Sequence, residues 1–422
     1  MEKIAVVGSG ISGLVCAYHL SKRAEVHVFE ANPIIGGHTN TVDVSVSSGN
    51  YAVDTGFIVF NDRTYPRFVR LMNELKVASQ PSVMSFSVKV EGNGLEYNGT
   101  SIDSLFAQRR NLFRPSFYWM IKDILRFNRE APLVLADATV QVDMSLGDYL
   151  ATRNYSRQFI DHYIIPMGAA IWSAGVAEMR SFPLTHFVQF FKNHGMLSVN
   201  DRPLWRVIHN GSRSYFPALT RPFQDRVHVG SPVRSVRREE NRVVLSVESG
   251  GKREDVAFDH VVLAAHADQT LALLADATPP EREILGSFPY QENQTLLHTD
   301  VSVLPKRNKA WASWNYFVPK KEKNTVAVTY NMNILQNIDA PETFLVSLNM
   351  EDRVDPAKIL KRITYHHPVY NVRGVRAQGE WDRISGVRRT HFCGSYWGNG
   401  FHEDGVVSGE RVCKNMGVIP WL

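Results

Sequence analysis

The first residues able to do chemistry lie close to the amino terminus. Ile4-Ala5-Val6-Val7 is a short apolar run rich in β-branched residues, suited to a buried parallel strand. Gly8-Ser9-Gly10-Ile11-Ser12-Gly13 follows directly and leads into an apolar helical segment, Leu14 to Leu20. In such a strand–turn–helix unit the first glycine permits the tight turn, the second lets a pyrophosphate approach the backbone, and the third lets the helix sit close to the strand. The phosphate then meets free N–H groups at the positive end of the helix dipole. A second strand, Val26 to Phe29, ends at Glu30, 22 residues beyond Gly8. A carboxylate there can accept hydrogen bonds from both hydroxyls of a ribose and disfavours a 2′-phosphate. A glycine turn alone is weak evidence; strand, helix and acid together predict a dinucleotide site for NAD or FAD.

Composition bounds what surrounds that site. The chain has 422 residues, 44% hydrophobic and 21% charged, which is ordinary for a folded protein and, by length, suggests about two or three domains. A net charge of +5 is too diffuse to demand an anionic partner, and no nucleic-acid motif accompanies it. Three cysteines without a CxxC pair argue against a disulfide framework and a zinc site, and fit a reducing, cytoplasmic setting. Ile4 to Ser21 is uncharged and just reaches the roughly 18 residues of a membrane-span candidate. Three glycines and His19 make buried strand, turn and helix the better reading, and Glu2 cancels Lys3 where a signal peptide needs positive charge. No serine-nucleophile elbow, Walker loop or HExxH occurs. His366-His367, followed by Pro368, reads as a loop pair, and His186 and His194 as isolated histidines, so no metal is expected.

Later segments choose between the two dinucleotides. Gly36-Gly37-His38-Thr39 and Val53-Asp54-Thr55-Gly56-Phe57 follow the acid. Longer stretches include Asp54 to Asn61, Pro166 to Ser173, Phe190 to Gly195, Trp311 to Tyr316 and Gly398 to Gly405. In these the chain resembles the flavin amine oxidase and phytoene desaturase superfamily. Within it, the resemblance is to a bacterial branch of predicted NAD/FAD-binding oxidoreductases associated with cyclopropane fatty acyl synthases. It implies an α/β fold: a Rossmann-like FAD-binding domain, discontinuous over 1–61, 206–267 and 386–422, with an interleaved α+β substrate domain over 62–205 and 268–385. The first of these stretches is helical in pattern. The second mixes strands and loops, with Thr325 to Tyr330 expected as an alternating strand.

The resemblance also assigns residues. The cofactor-binding set is Gly8, Ser9, Gly10, Ile11, Ser12, Gly13, Glu30, Ala31, Gly36, Gly37, His38, Thr39, Thr55, Gly56, Phe57, Val233, Ala264, Gly394, Glu403, Asp404, Gly405 and Val406. Val233 matches the valine whose backbone meets the adenine end, and Ala264 ends a strand where a larger side chain would collide with the cofactor. Glu403 to Arg411 reads as the start of the helix that points its amino end at the flavin, although simple capping is an equally good reading of Glu403 and Asp404. His38 stands where the superfamily usually has Arg. No cysteine occurs between Cys16 and Cys393, so FAD is expected to be non-covalent. The lysine that many relatives place beside flavin N5 has no clear match. His298, Tyr396, Trp397 and His402 are the candidate catalytic residues. The implied reaction is hydride transfer to flavin N5 from an unsaturated or methylated fatty acyl chain, free or phospholipid-bound. Amine oxidation and redox-neutral fatty acid isomerisation are the alternatives. Trp172, Phe187, Phe190, Phe191, Trp311 and Trp314 are candidates for an apolar tunnel, or equally for core.

One segment carries a partner expectation of its own. Between Arg109 and Arg129 lie Arg109, Arg110, Arg114, Lys122, Arg126 and Arg129 against a single acid, Asp123, interleaved with Phe113, Phe117, Tyr118, Trp119 and Phe127. A basic, aromatic, amphipathic helix of this kind can lie on an anionic membrane surface, or pack its rings into the substrate domain.

Overall fold

The computed structural model describes residues 1–136, 143–198, 202–321 and 324–421. The apolar runs read from sequence form the centre of one sheet. Its strands are β1 (Lys3–Val7), β2 (Glu25–Phe29), β3 (Val227–His228), β4 (His260–Leu263) and β5 (Thr390–Phe392), in the order β3-β2-β1-β4-β5. Every pairing is parallel. Ile4, Ala5, Val6, Val261, Val262 and Leu263 have at most 1% of their surface exposed, as expected for parallel strands covered on both faces. Helix α1 (Ile11–Leu20) follows β1 after the glycine turn. Strands from the beginning, middle and end of the chain thus share one sheet, with their carboxyl ends on one edge.

Three further helices matter to the site: α2 (Pro66–Glu74), α3 (Pro115–Glu130) and α4 (His402–Asn415). A second, seven-stranded sheet runs in the order Ile359–Pro368, Tyr290–His298, Leu345–Leu348, Val328–Asn331, Trp314–Val318, Phe86–Val90, Glu96–Asn98. All its pairings are antiparallel except Trp314–Val318 with Phe86–Val90. The expected alternation along Thr325 to Tyr330 is absent: Val326 to Tyr330 are all buried, because Val328–Asn331 is an interior strand covered on both faces. The helices of the 115–193 stretch pack over this sheet in one apolar core, in which Phe127, Trp172, Phe187 and Phe190 meet Tyr330 and Val346. No helix among the described residues is long and apolar enough to cross a membrane.

Helices α1 and α4 pack closely against each other. A Cβ on Gly405 would stand 2.6 Å from Ile11 Cγ2, and one on Gly409 would stand 2.7 Å from the Ser12 carbonyl oxygen. Four residues further on, Cys413 Sγ lies 3.6 Å from the Cys16 carbonyl oxygen and 3.8 Å from Cys16 Sγ. Small residues one helical turn apart let the two axes close up, as ridge-and-groove packing requires when side chains are short. Gly409→Val should therefore push α4 away from α1 and destabilise the protein by about 1–3 kcal/mol, read as a lowered midpoint in urea unfolding. An unchanged midpoint would mean that the helices do not cross this closely.

Candidate functional site

The glycine turn has the geometry its sequence demands. Gly8 has φ +106° and its Cβ would stand 2.7 Å from the Ala264 carbonyl oxygen, while a Cβ on Gly13 would stand 2.1 Å from the Gly8 carbonyl oxygen. Beyond Gly10, by contrast, there is open space within 4 Å of where a Cβ would be. No side chain caps α1 at Gly10, so its first-turn N–H groups point into that space. Glu30 sits at the end of β2. Its Oε2 accepts from Ser9 N (3.1 Å) and Ser9 Oγ (2.5 Å), and its Oε1 from Asn32 N and Nδ2 (both 2.9 Å). The Glu30 carbonyl accepts from Ser231 N, and Gly230 N donates to Asn32 O, which draws the segment leading to Val233 against the acid beside Ala31. The paired-glycine turn closes from the other side. Gly36 N lies 3.1 Å from Ser9 Oγ, and a Cβ on Gly37 would be 3.4 Å from Gly10 Cα. Open space, free N–H groups and an anchored acid together fit a dinucleotide.

The carboxyl-terminal turn closes the third side, and here the roles differ from those expected. Gly405 and Val406 lie on α4 against α1, but the two acids before them face elsewhere. Glu403 accepts from Arg67 N and Phe68 N (both 2.9 Å), so it caps α2 across the fold. Asp404 accepts from Phe401 N (2.9 Å) and caps its own helix. Burial raises Glu403 to about 7 and Asp404 to about 6. Their side chains are therefore helix caps, and the part of this segment left to a cofactor is backbone. Thr39 is also turned inward, its Oγ1 2.8 Å from Tyr215 Oη and 2.9 Å from His402 Nε2. The Asp54 to Phe57 segment is held by the same turn. Phe57 N donates to His38 O, and Gly56 is so close that a Cβ would stand 2.1 Å from that carbonyl. Thr55 Oγ1 lies 3.0 Å from Tyr365 Oη. Gly394 N donates to Ser408 Oγ (3.0 Å), which ties the end of β5 to α4.

The four candidate catalytic side chains are not gathered in one place. His298 closes the strand Tyr290–His298, roughly 26 Å along it from Tyr290 at about 3.3 Å per residue. Its ring is 2.8 Å from Ser347 Oγ and accepts from Asp300 N (3.1 Å), so it is a satisfied core histidine remote from the turn. His402 stacks on Phe57 at 3.5 Å between ring centroids and bonds to Thr39; it fixes the paired-glycine turn from behind. Tyr396 and Trp397 pack against Phe288 at 5.0 and 5.3 Å, and Tyr396 Oη and Trp397 Nε1 are buried without a partner. Of the tunnel candidates, Trp172, Phe187, Phe190 and Phe191 belong to the large core. Trp172 Nε1 reaches Asn399 O in the carboxyl-terminal turn at 3.3 Å. Trp311 packs in a separate cluster, and Trp314 stands edge-on to Tyr330 at 5.1 Å.

A group that sequence reading passed over lies at the cradle instead. His366 and His367, read as a loop pair, fall within the strand Ile359–Pro368. His38 lies 4.9 Å from Tyr365, 5.3 Å from His367 and 6.0 Å from His266, between ring centroids. His266 stacks on Tyr290 at 4.5 Å, and Asn293 Nδ2 is 2.9 Å from His367 Nδ1. His266 carried a signal, since it follows the small residues at the carboxyl end of β4, the edge where ligands bind in such sheets. Nothing local marked His366 and His367. Among the described residues no group of three ligating side chains is arranged for a metal.

Comparison with known proteins agrees with this geometry. Residues 11–291 match the family model of flavin-containing amine oxidoreductases. No curated protein sequence matches the chain. Among solved structures, cyclohexylamine oxidase from Brevibacterium oxydans IH-35A superposes with a TM-score of 0.68 at 15% identity, covering 99% of this chain and 98% of that one. Putrescine oxidase bound to putrescine gives 0.69 at 15%, and a CLA-producing fatty acid isomerase from P. acnes 0.69 at 14%, each covering 98% of both chains. At these identities the likeness is one of fold.

Burial sets the acid response of the whole framework. His19, His38, His186, His194, His266, His298 and His391 are each pushed down to about 4, and His367 to about 3. In the unfolded chain these imidazoles titrate near their ordinary value of about 6.5. Between about 4 and 6.5 the unfolded state binds more protons, and stability is lost as pH falls through that window. Glu403, Asp404 and Asp54, the last raised to about 6 by burial, act in the opposite sense, but eight imidazoles outweigh three carboxyls. Urea unfolding of the cofactor-free protein should show midpoints that fall between pH 7 and 5. A flat profile over that range would contradict the burial of these rings.

Proposed function

We propose, from the premise that this chain belongs to the flavin-containing amine oxidoreductase family and is an FAD-dependent oxidoreductase, that its substrate is an unsaturated or methylated fatty acyl chain, free or within a phospholipid. The observation that carries this reading is the surface around α3. Ile102, Leu112, Phe113, Tyr118, Trp119, Leu125 and Leu133 are all exposed, Phe113 at 86%, and a groove of about 430 Å³ runs between Tyr118, Lys122, Leu125 and Arg129. Exposed apolar side chains concentrated in one segment of a folded protein mark an interaction surface. Its cations are only partly spent: Arg109 pairs with Asp103 and Arg126 with Glu130, while Arg114 donates to a backbone carbonyl and Lys122 lies over the Trp119 ring at 4.9 Å. Rings at headgroup depth and free cations suit an anionic bilayer.

The interior beneath α3 supports the same substrate. Phe127 on α3 meets Phe187, which meets Trp172, and Trp172 reaches Asn399 at the carboxyl-terminal turn. These rings are packed core, so an acyl chain reaches the cofactor cradle along them only if they move apart. FAD, when bound, supplies a two-electron acceptor for a substrate carbon. Gly8 to Gly13, Glu30, Gly36 to His38 and Ala264 would hold it, with the amino end of α4 as a positive dipole beside it. Trp172 and Tyr370, with Phe401 packed against them, form the apolar wall behind the carboxyl-terminal turn. The fatty acid isomerase likeness keeps a redox-neutral reaction on the same class of substrate as the second reading.

Anaerobic mixing with a lipid extract should bleach the flavin, while polyamines and cyclic amines leave it oxidised. Bleaching by amines alone would overturn the acyl reading, and acyl isomerisation without bleaching would select the second. The protein should co-sediment with phosphatidylglycerol vesicles at low salt, with at least a several-fold loss for Phe113→Ser with Trp119→Ser. No cysteine stands between Cys16 and Cys393 to tether it, so acid precipitation should release the flavin into the supernatant; colour in the pellet would contradict non-covalent binding.

A further inference from the structure

A diphosphate brought into a protein interior carries two negative charges, and a cationic side chain beside the helix-end N–H groups adds to their stabilisation. In this cradle the position next to the paired glycines holds His38, and three more histidines converge on it: His266 from the segment after β4, and His366 and His367 from the strand Ile359–Pro368. The cluster has three features of an anion seat. It lies beside Gly37, which approaches Gly10 at the uncapped end of α1. His38 Nε2 is buried and has no hydrogen-bond partner. His38, His266 and His367 each keep part of their surface accessible, and His366 stands at the outer side of the cluster with 45% of its side chain exposed.

The charges acting on these rings are nearly all one another. His38 is acted on by His266 and His366, His266 by His366 and His367, and His367 by His38 and His366. No carboxylate and no Lys or Arg is among them. The neighbours from the surrounding elements are Tyr290 and Asn293 on one strand, Tyr365 on another and His402 at the start of α4, which feels His38. Glu292 pairs at 3.6 Å with His366 on the outer side. Burial and mutual repulsion hold His38, His266 and His367 well below the usual imidazole range, and an anion at the cradle reverses that balance.

We propose that His38, His266 and His367 are a proton-loaded counter-charge for the cofactor diphosphate: the cluster is neutral in the free protein and takes up a proton from solvent as FAD binds. Only an N–H bond on an imidazole is formed and the proton comes from the buffer, so the flavin is neither oxidised nor reduced. The proposal concerns the cofactor and is independent of which substrate the enzyme takes.

The test is calorimetric titration of the full-length, flavin-stripped protein with FAD at pH 7.5, in buffers of different ionisation enthalpy. We expect uptake of about half to one proton per FAD, and FAD affinity that weakens by up to about tenfold per pH unit between pH 6 and 8.5. ADP-ribose, whose diphosphate does not titrate near neutrality, should reproduce the uptake, and riboflavin should not. His38→Arg supplies a fixed cation and should bind FAD with reduced proton uptake and a flatter pH profile. His266→Gln is a second variant with the same expectation of reduced uptake. Wild-type protein that binds FAD with no proton exchange and constant affinity across that range overturns the proposal. So do folded His38→Arg and His266→Gln proteins that both retain the full uptake.

Discussion

The crossing of α1 and α4 governs the geometry of everything around the cofactor. Gly405 and Gly409 present no side chains to Ile11 and Ser12, so two helices from opposite ends of the sequence lie nearly in backbone contact and bring their amino ends to one place. Each amino end carries a partial positive charge and a set of unpaired N–H groups. Two such ends side by side repel, and a bound anion relieves the repulsion. The fold thus holds an electrostatic demand that an electron-rich ligand meets, and this is consistent with a protein whose family carries a flavin dinucleotide.

The two acids near this crossing divide their roles. A carboxylate in the first turn of a helix can neutralise its own helix end. Glu403 instead reaches across to cap α2 at Arg67 and Phe68, and Asp404 bonds to Phe401 and Asn399 at the very start of the helix. Thr39, Tyr215 and His402 form a hydrogen-bonded group behind the paired-glycine turn. Polar groups behind the turn are therefore satisfied within the protein.

Much of this was legible in the residues. The strand, glycine turn, helix and acid from Ile4 to Glu30 specify a local unit whose geometry depends on few outside contacts, and β1, α1 and β2 appear where the sequence put them within a residue or three. The amino end of α4 was legible from its two acids, although their side chains serve caps. What was not legible depends on contacts between strands far apart in sequence. His298 looked like a neighbour of the flavin because of loose alignment, and the register of the second sheet carries it to the opposite end of its strand. His366 and His367 looked like a loop because Pro368 follows them, and only their pairing with Glu292 and Gln291 brings them to His38 and His266. Register is a property of two strands at once, and a one-dimensional reading has access to only one of them.

The parallel sheet has a consequence for the order of events in the making of this protein. Its central strand β1 is made before its neighbour β4 at residues 260–263, before β5 beyond it at 390–392, and before the helix that closes the site at 402–415. A growing chain cannot complete the cradle until residue 415 has left the ribosome, and these long-range pairings are of the slow-forming kind. For most of its synthesis the glycine turn is present without the walls that would retain a dinucleotide. Closure of the cradle therefore depends on β5 and α4, the elements made last among those that form it.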